Sequence, residues 1–361
     1  MEKEPAILAA YRQAKAKILM ILVIMLIAVL VMAVLSGGLG SMKIAPVEVL
    51  RTFFGKGDPL YNDVIFQLRL PRVLTAILAG FGLGISGCVM QSLLHNPLAS
   101  ASTLGVSQGA AFGATVAIMF LGAGASQYFS GVQATALWGN PYITTICAFC
   151  GSMLVTLFVL VLSRFRSVGP SEIVLVGVAL SSIFSGGTAL MQYFASDIDL
   201  SAIVFWTFGD MGRTTYETVA IIAVVVAVTS VYFCLNAWNY NAINSGRNTA
   251  TGLGVNVKTV LLVGLTLASL VVSTIVSFIG VVNFIGLIAP HMMRRLVGED
   301  NRFLLPASML CGALILLVSD LLARMIITPI VLPIGAITSF MGAPLFVYIM
   351  LKGGRGHARD S

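Results

Sequence analysis

The sequence predicts an all-α integral membrane protein of about ten membrane-spanning helices forming one unit over residues 1–361. Three observations carry that expectation: charge is scarce, apolar runs have the length of a lipid crossing, and basic residues fall unevenly between alternate loops. Hydrophobic residues make up 58% of the chain and charged residues 10%, against about 25% charged in a typical soluble domain. From Val73 to Ser163 not one Asp, Glu, Lys or Arg occurs in 91 consecutive positions. No water-facing surface is built from such a run, and a lipid crossing needs about 20 largely apolar residues.

Uncharged runs between polar breaks place spans near 18–35, 73–94, 102–122, 142–163, 173–195, 218–235, 259–277, 281–293, 304–322 and 334–351. The first run follows Lys15 and Lys17 as a signal peptide would, but its apolar core exceeds the usual 7–15 residues, so it reads as an anchor helix. Thr259 to Met293 is 35 uncharged residues, too long for one helix, with a turn expected at Ser277–Gly280. The span at 281–293 is short for a full crossing. Two connections, Ser36–Leu70 and residues 236–257, are long enough for short helices of their own.

The positive-inside rule tests this count. With the N-terminus in the cytoplasm and ten alternating spans, the inner side receives fourteen Lys and Arg residues and the outer side seven. Both termini are then cytoplasmic. The net charge of +7 reflects membrane topology and not a nucleic-acid footprint.

Chemistry-bearing constellations are missing. Cys88, Cys147, Cys150, Cys234 and Cys311 sit inside apolar runs at irregular spacing, unlike a disulfide framework. Cys147 and Cys150 read as small buried residues on one helix face. His95, His291 and His357 are far apart and match no metal-ligand spacing, so no metal or cofactor is expected. A phosphate-cradling G-x-x-x-x-G-K-[ST] loop is absent, which puts ATP chemistry outside this chain. An ion-coupled carrier keeps ionisable side chains near the bilayer midplane; only Asp320 approaches a span, where an i,i+4 contact with Arg324 is expected. That argues against a secondary transporter driven by an ion gradient, and a membrane-bound enzyme would need clustered His or carboxylates.

Small residues are the informative feature. Gly80, Gly82, Gly84 and Gly87, then Gly105, Gly109 and Gly113, include several G-x-x-x-G spacings of the kind that lets helix backbones approach closely. Between them, Gln91 to Ala99 contains Asn96 and Pro97. Pro97 ends a helix, and irregular backbone at membrane depth is tolerated only in protein or beside a water-filled cavity. A pathway-lining turn is expected there.

At this point the residues resemble a known family. Arg69-Leu-Pro-Arg72, Gly87-x-x-Met90-Gln91, Asn96-Pro-Leu-Ala99 and Leu104-Gly-Val-Ser-x-Gly-Ala110 occur in order, as do Gly286-Leu-Ile-Ala-Pro-His-x-x-Arg294, Asp320-x-x-Ala-Arg324 and the Leu332–Pro344 motif. Together they are similar to FecCD-type permease subunits of ABC importers for iron–siderophore complexes, haem and cobalamin. The resemblance implies a type II importer permease fold whose second to fifth and seventh to tenth spans form inverted halves. It implies as partners a second permease subunit, identical or paralogous, two cytoplasmic ATP-binding-cassette ATPases, an extracytoplasmic substrate-binding protein and membrane lipid, in the bacterial plasma (inner) membrane. The subunit itself would be non-catalytic, moving a metal chelate, ferric siderophore first and haem or cobalamin next. By position, Arg69, Arg72 and Arg324 correspond to outer residues that dock the binding protein, where an Arg fork suits carboxylates. Gln91, Asn96, Leu98 and Ser171 correspond to pathway and gate positions. Within 236–257, Arg247, Ala250, Gly252, Leu253 and Gly254 correspond to the segment that couples to the ATPase, with Arg247 where relatives often carry an acid.

Overall fold

Every apolar run is one helix. The computed structural model describes residues 3–40, 42, 44–123, 142–165 and 169–357. Lys43, Arg166 and Arg359, used for the topology, lie outside them. The long helices are α1 (Lys3–Gly38), α4 (Leu70–Leu93), α5 (Val106–Leu121), α6 (Tyr142–Phe165), α7 (Pro170–Phe194), α9 (Tyr216–Leu235), α12 (Val257–Ile279), α13 (Ile285–Val297), α14 (Asn301–Met325) and α15 (Ile334–His357). Between α1 and α4 lie α2 (Pro46–Phe53), α3 (Pro59–Asp63) and a π-helical turn over Val64–Arg69; α8 (Asp197–Phe208) follows α7. The loop at 236–257 folds into α10 (Ala237–Asn244) and α11 (Arg247–Gly252).

Polar breaks in the sequence supply the caps. The side chains of Asp58, Ser196, Thr215, Asn256 and Asp300 each accept a bond from a backbone N–H in the first turn of α3, α8, α9, α12 and α14, satisfying donors a helix start leaves open. Seven of the described helices are long and apolar enough to cross a membrane. Helix α13, 13 residues, spans only about 20 Å against roughly 30 Å of hydrocarbon. The turn expected at Ser277–Gly280 is displaced: α12 runs to Ile279, and Gly280 ends it at φ 79°. Backbone without regular structure then carries buried Val281 and Val282 to Phe284, at φ 68°. Protein covers this irregular segment, as lipid depth demands.

Helix α4 is the centre, packed by α14, α12, α13 and α9. Its glycines are required by contact. A Cβ at Gly80 would lie 2.4 Å from Ala313 Cα, at Gly84 2.2 Å from the Ser308 carbonyl, and at Gly87 1.7 Å from the Gly286 carbonyl. Helices α5 and α6 close the same way, through Gly109 on Gly151 and Gly113 on the Cys147 carbonyl. The expectation that Cys147 and Cys150 are both buried is corrected: Cys147 is half-buried and Cys150 exposed. Helix α7 contrasts with α4: among the described residues it touches chiefly α5, and most of its surface is open.

Candidate docking, gate and coupling sites

At the end of the bundle where α4 begins, outer in the expected topology, the first helix runs out of partners. The last carbonyls of an α-helix lack intrahelical donors and carry the negative end of its dipole. Two arginines meet those of α1. Arg69 Nη1 donates to the Gly37 and Gly38 carbonyls, both at 2.7 Å, and Nη2 donates to that of Met42. Arg324 donates to the carbonyls of Ser36 at 3.2 Å and Leu39 at 2.9 Å, and to Ser36 Oγ at 2.5 Å. Arg69 and Arg324 are 7% and 8% exposed, so in this conformation they face inward and not outward as unengaged forks.

Asp320 ties the cluster together. Arg72 Nε donates to its Oδ1 at 2.7 Å, and Arg324 Nη2 lies 3.0 Å from Oδ2, an ion pair not aligned as a hydrogen bond. The expected contact between Asp320 and Arg324 is present, but Asp320 is fully buried and shared with Arg72, which the sequence reading missed. Three guanidinium groups thus face one carboxylate and one helix terminus. Beside them, a cavity of ≈ 460 Å³ opens between α8 and residues 330–333, lined by Phe205, Phe208, Asp210, Arg213 and Leu332.

The opposite end holds the Asn96–Leu98 turn, where the resemblance puts gate positions. Helix α4 stops in a Schellman arrangement, with Asn96 N–H on the Gln91 carbonyl at 3.2 Å and His95 in the left-handed region at φ 45°. Asn96 Oδ1 accepts Leu98 N–H at 2.9 Å, fixing the Asn96-Pro97-Leu98 turn. Leu98 is exposed and Asn96 half-buried. Gln91 does not line an open passage here; it is buried and donates to the Leu287 carbonyl at 3.1 Å. Ser171 is exposed in the first turn of α7, less than two turns from where Gly177 packs on Leu104.

Outside this end sit α10 and α11. Ala250 is buried and anchors α11 beneath its exposed neighbours Arg247, Gly252, Leu253 and Gly254. Gly254, at φ 81°, closes a second Schellman turn with Val255 N–H on the Ala250 carbonyl at 3.0 Å. Leu253 is 69% exposed, and nothing lies within 4 Å of a Cβ placed on Gly252 or Gly254. Helix α10 attaches inward. Asp300 is held by Arg302 and accepts from Asn241, and Arg302 covers the Trp238 ring at 4.2 Å. The bond from Arg302, aided by that from Asn241, holds the Asp300 carboxyl below the usual carboxylate range.

Helices of lipid-crossing length, a glycine-closed core and polar clusters at both ends define the class: a multi-pass membrane transport protein. The chain belongs to the FecCD transport family, whose profile matches residues 17–352. It is 44% identical over 332 residues to the ABC transporter permease protein MJ0087 of Methanocaldococcus jannaschii, covering 91% of this chain and 93% of that one. The Fe(3+)-citrate import system permease protein YfmE of Bacillus subtilis is 33% identical, over 94% and 96% of the two chains. A solved inward-facing metal-chelate type ABC transporter superposes with a TM-score of 0.79 at 30% identity, covering 92% of this chain and 99% of that one.

Proposed function

We propose that this chain is the permease subunit of an ATP-driven importer that moves a metal chelate across a prokaryotic plasma membrane, with both termini in the cytoplasm. The observation that carries the reading is the pair of short helices α10 and α11, set outside a gate-like turn and presenting Leu253 between two glycines open to contact. A partner ATPase seats on that surface and hydrolyses ATP; this subunit performs no bond chemistry. A second permease, identical or paralogous, faces the open side of α7, and a substrate-binding protein docks at the outer face around Arg72, with Arg69 and Arg324 beneath it. In this reading Asn96, Leu98 and Ser171 border the inner exit and Gln91 stands behind it. Ferric siderophore is the first cargo to try, with haem and cobalamin next: relatives carry names of ferric citrate, hemin and vitamin B12 import.

The test is uptake into vesicles holding this chain with its ATPase and binding protein, using labelled ferric citrate, hemin and vitamin B12. ATP-dependent accumulation lost on omitting either partner supports the reading. Uptake by this chain alone, indifferent to ATP, overturns it.

A further inference from the structure

The cytoplasmic-end contacts contain a joint that the functional reading leaves unused. Helix α11 packs on α10 and the start of α12, whereas α10 packs on α4 and α14. Motion delivered to α11 therefore reaches the gate end of α4 chiefly through α10, and α10 is tied to that end at two points.

The first tie is a chain of neutral amides. Asn241 Oδ1 accepts from Asn301 N at 2.8 Å and from Asn301 Nδ2 at 2.9 Å, and Asn301 Oδ1 accepts from Ser92 Oγ at 3.1 Å. Asn301 is fully buried and Ser92 nearly so. Both amides are oriented by chemistry: a backbone N–H requires an oxygen at Asn241, and its NH2 must then face the Asp300 carboxylate, at 2.8 Å. That choice makes Asn301 a donor toward Asn241 and leaves its oxygen for Ser92.

The second tie is His95. Its Nε2–H donates to the Ile243 carbonyl of α10 at 2.8 Å. The left-handed backbone at His95 is one that L side chains disfavour. The chain ends α11 with the same turn and uses Gly254 there. At the end of α4 the imidazole occupies the position glycine suits, and its only bond goes to the α10 backbone among the described contacts.

We propose that His95 and the Asn241–Asn301–Ser92 chain are positioning residues that transmit displacement of α10–α11 to the end of α4 and the Asn96–Leu98 turn. The inference rests on the importer reading above. Directional, uncharged bonds suit the Asn301–Ser92 part of the chain, since they hold register among buried groups and exchange partners without stranding a charge.

The assay uses the complete transporter in liposomes, recording ATP hydrolysis and uptake of ferric citrate, hemin and vitamin B12. The variants are His95→Gly, which keeps the turn and removes the tie, and Asn301→Ala. Uptake per ATP is expected to fall roughly threefold to thirtyfold in each, with hydrolysis near the wild-type rate and the His95→Gly complex melting no lower than wild type. Unchanged uptake per ATP in both variants overturns the joint. So does a fall confined to Asn301→Ala, the variant expected to melt lower, with His95→Gly unchanged, which marks a merely structural role. A wild-type complex that shows no ATP-dependent uptake of any probe sinks the importer reading itself, and the joint with it.

Discussion

Helices α4 and α14 run side by side and are fastened at both ends, by different chemistry. Near the start of α4, Arg72 and Arg324 converge on Asp320 while Arg69 and Arg324 cap α1. Some 20 residues along α4, about 30 Å at helical rise, Ser92 meets Asn301 and Asn241 without a formal charge in the chain. Breaking a buried ion pair costs several kcal/mol because a bare charge remains, whereas exchanging a neutral hydrogen bond costs about 1 kcal/mol. The charged end is suited to stay assembled while the amide end shifts.

Breaking the charged fastening is expected to have the largest effect. Asp320→Asn leaves Arg72 and Arg324 without their counter-ion, and we expect a loss of about 3–5 kcal/mol, read as thermal unfolding in detergent; a wild-type melting curve would remove the contrast between the ends. Next comes the bar between them. Gly87→Ala drives a Cβ to 1.7 Å from the Gly286 carbonyl and should cost at least about 1–3 kcal/mol, while Gly252→Ala, with open space around it, should melt as wild type. Asn301→Ala should cost about 1–3 kcal/mol by stranding the Ser92 hydroxyl and removing one of the two bonds to Asn241 Oδ1, less than Asp320→Asn in the same assay.

The smallest effect is in pH. Because Arg302 and Asn241 lower the Asp300 pKa in the folded state, its stabilisation is present above the unfolded value of about 4 and is lost as pH falls through the depressed folded value. Acidification should narrow the difference between wild type and Asp300→Asn by under about 1 kcal/mol, compared as melting temperatures at neutral and acid pH.

Much of this fold was legible in the sequence because lipid imposes length and charge rules on every span. The ten runs matched ten helices, and the G-x-x-x-G spacings of α4 and α5 proved to be backbone contacts. Helix α8 escaped notice, though Ser196 followed by Asp199 is a capping signature, with Ser196 Oγ accepting Asp199 N–H at 3.2 Å. The resemblance singled out Arg69, Arg72 and Arg324; their engagement with α1 and Asp320 was not legible, since it depends on where α1 ends and on an acid 248 positions from Arg72. Asn301 and His95 carried no signal of their own. An Asn after an acidic residue reads as an ordinary helix start, and nothing in a lone His foretells a positive φ.

The openness of α7 has a further consequence. Rigid clasps of glycine on backbone tolerate almost no change of side chain, so the α4–α14 bar is closed to variation. A helix that touches chiefly one neighbour among the described residues, with Ser182, Ser185 and Gly186 on its exposed surface, is under no such restraint. That surface is free to vary while the glycine-clasped bar is inherited intact.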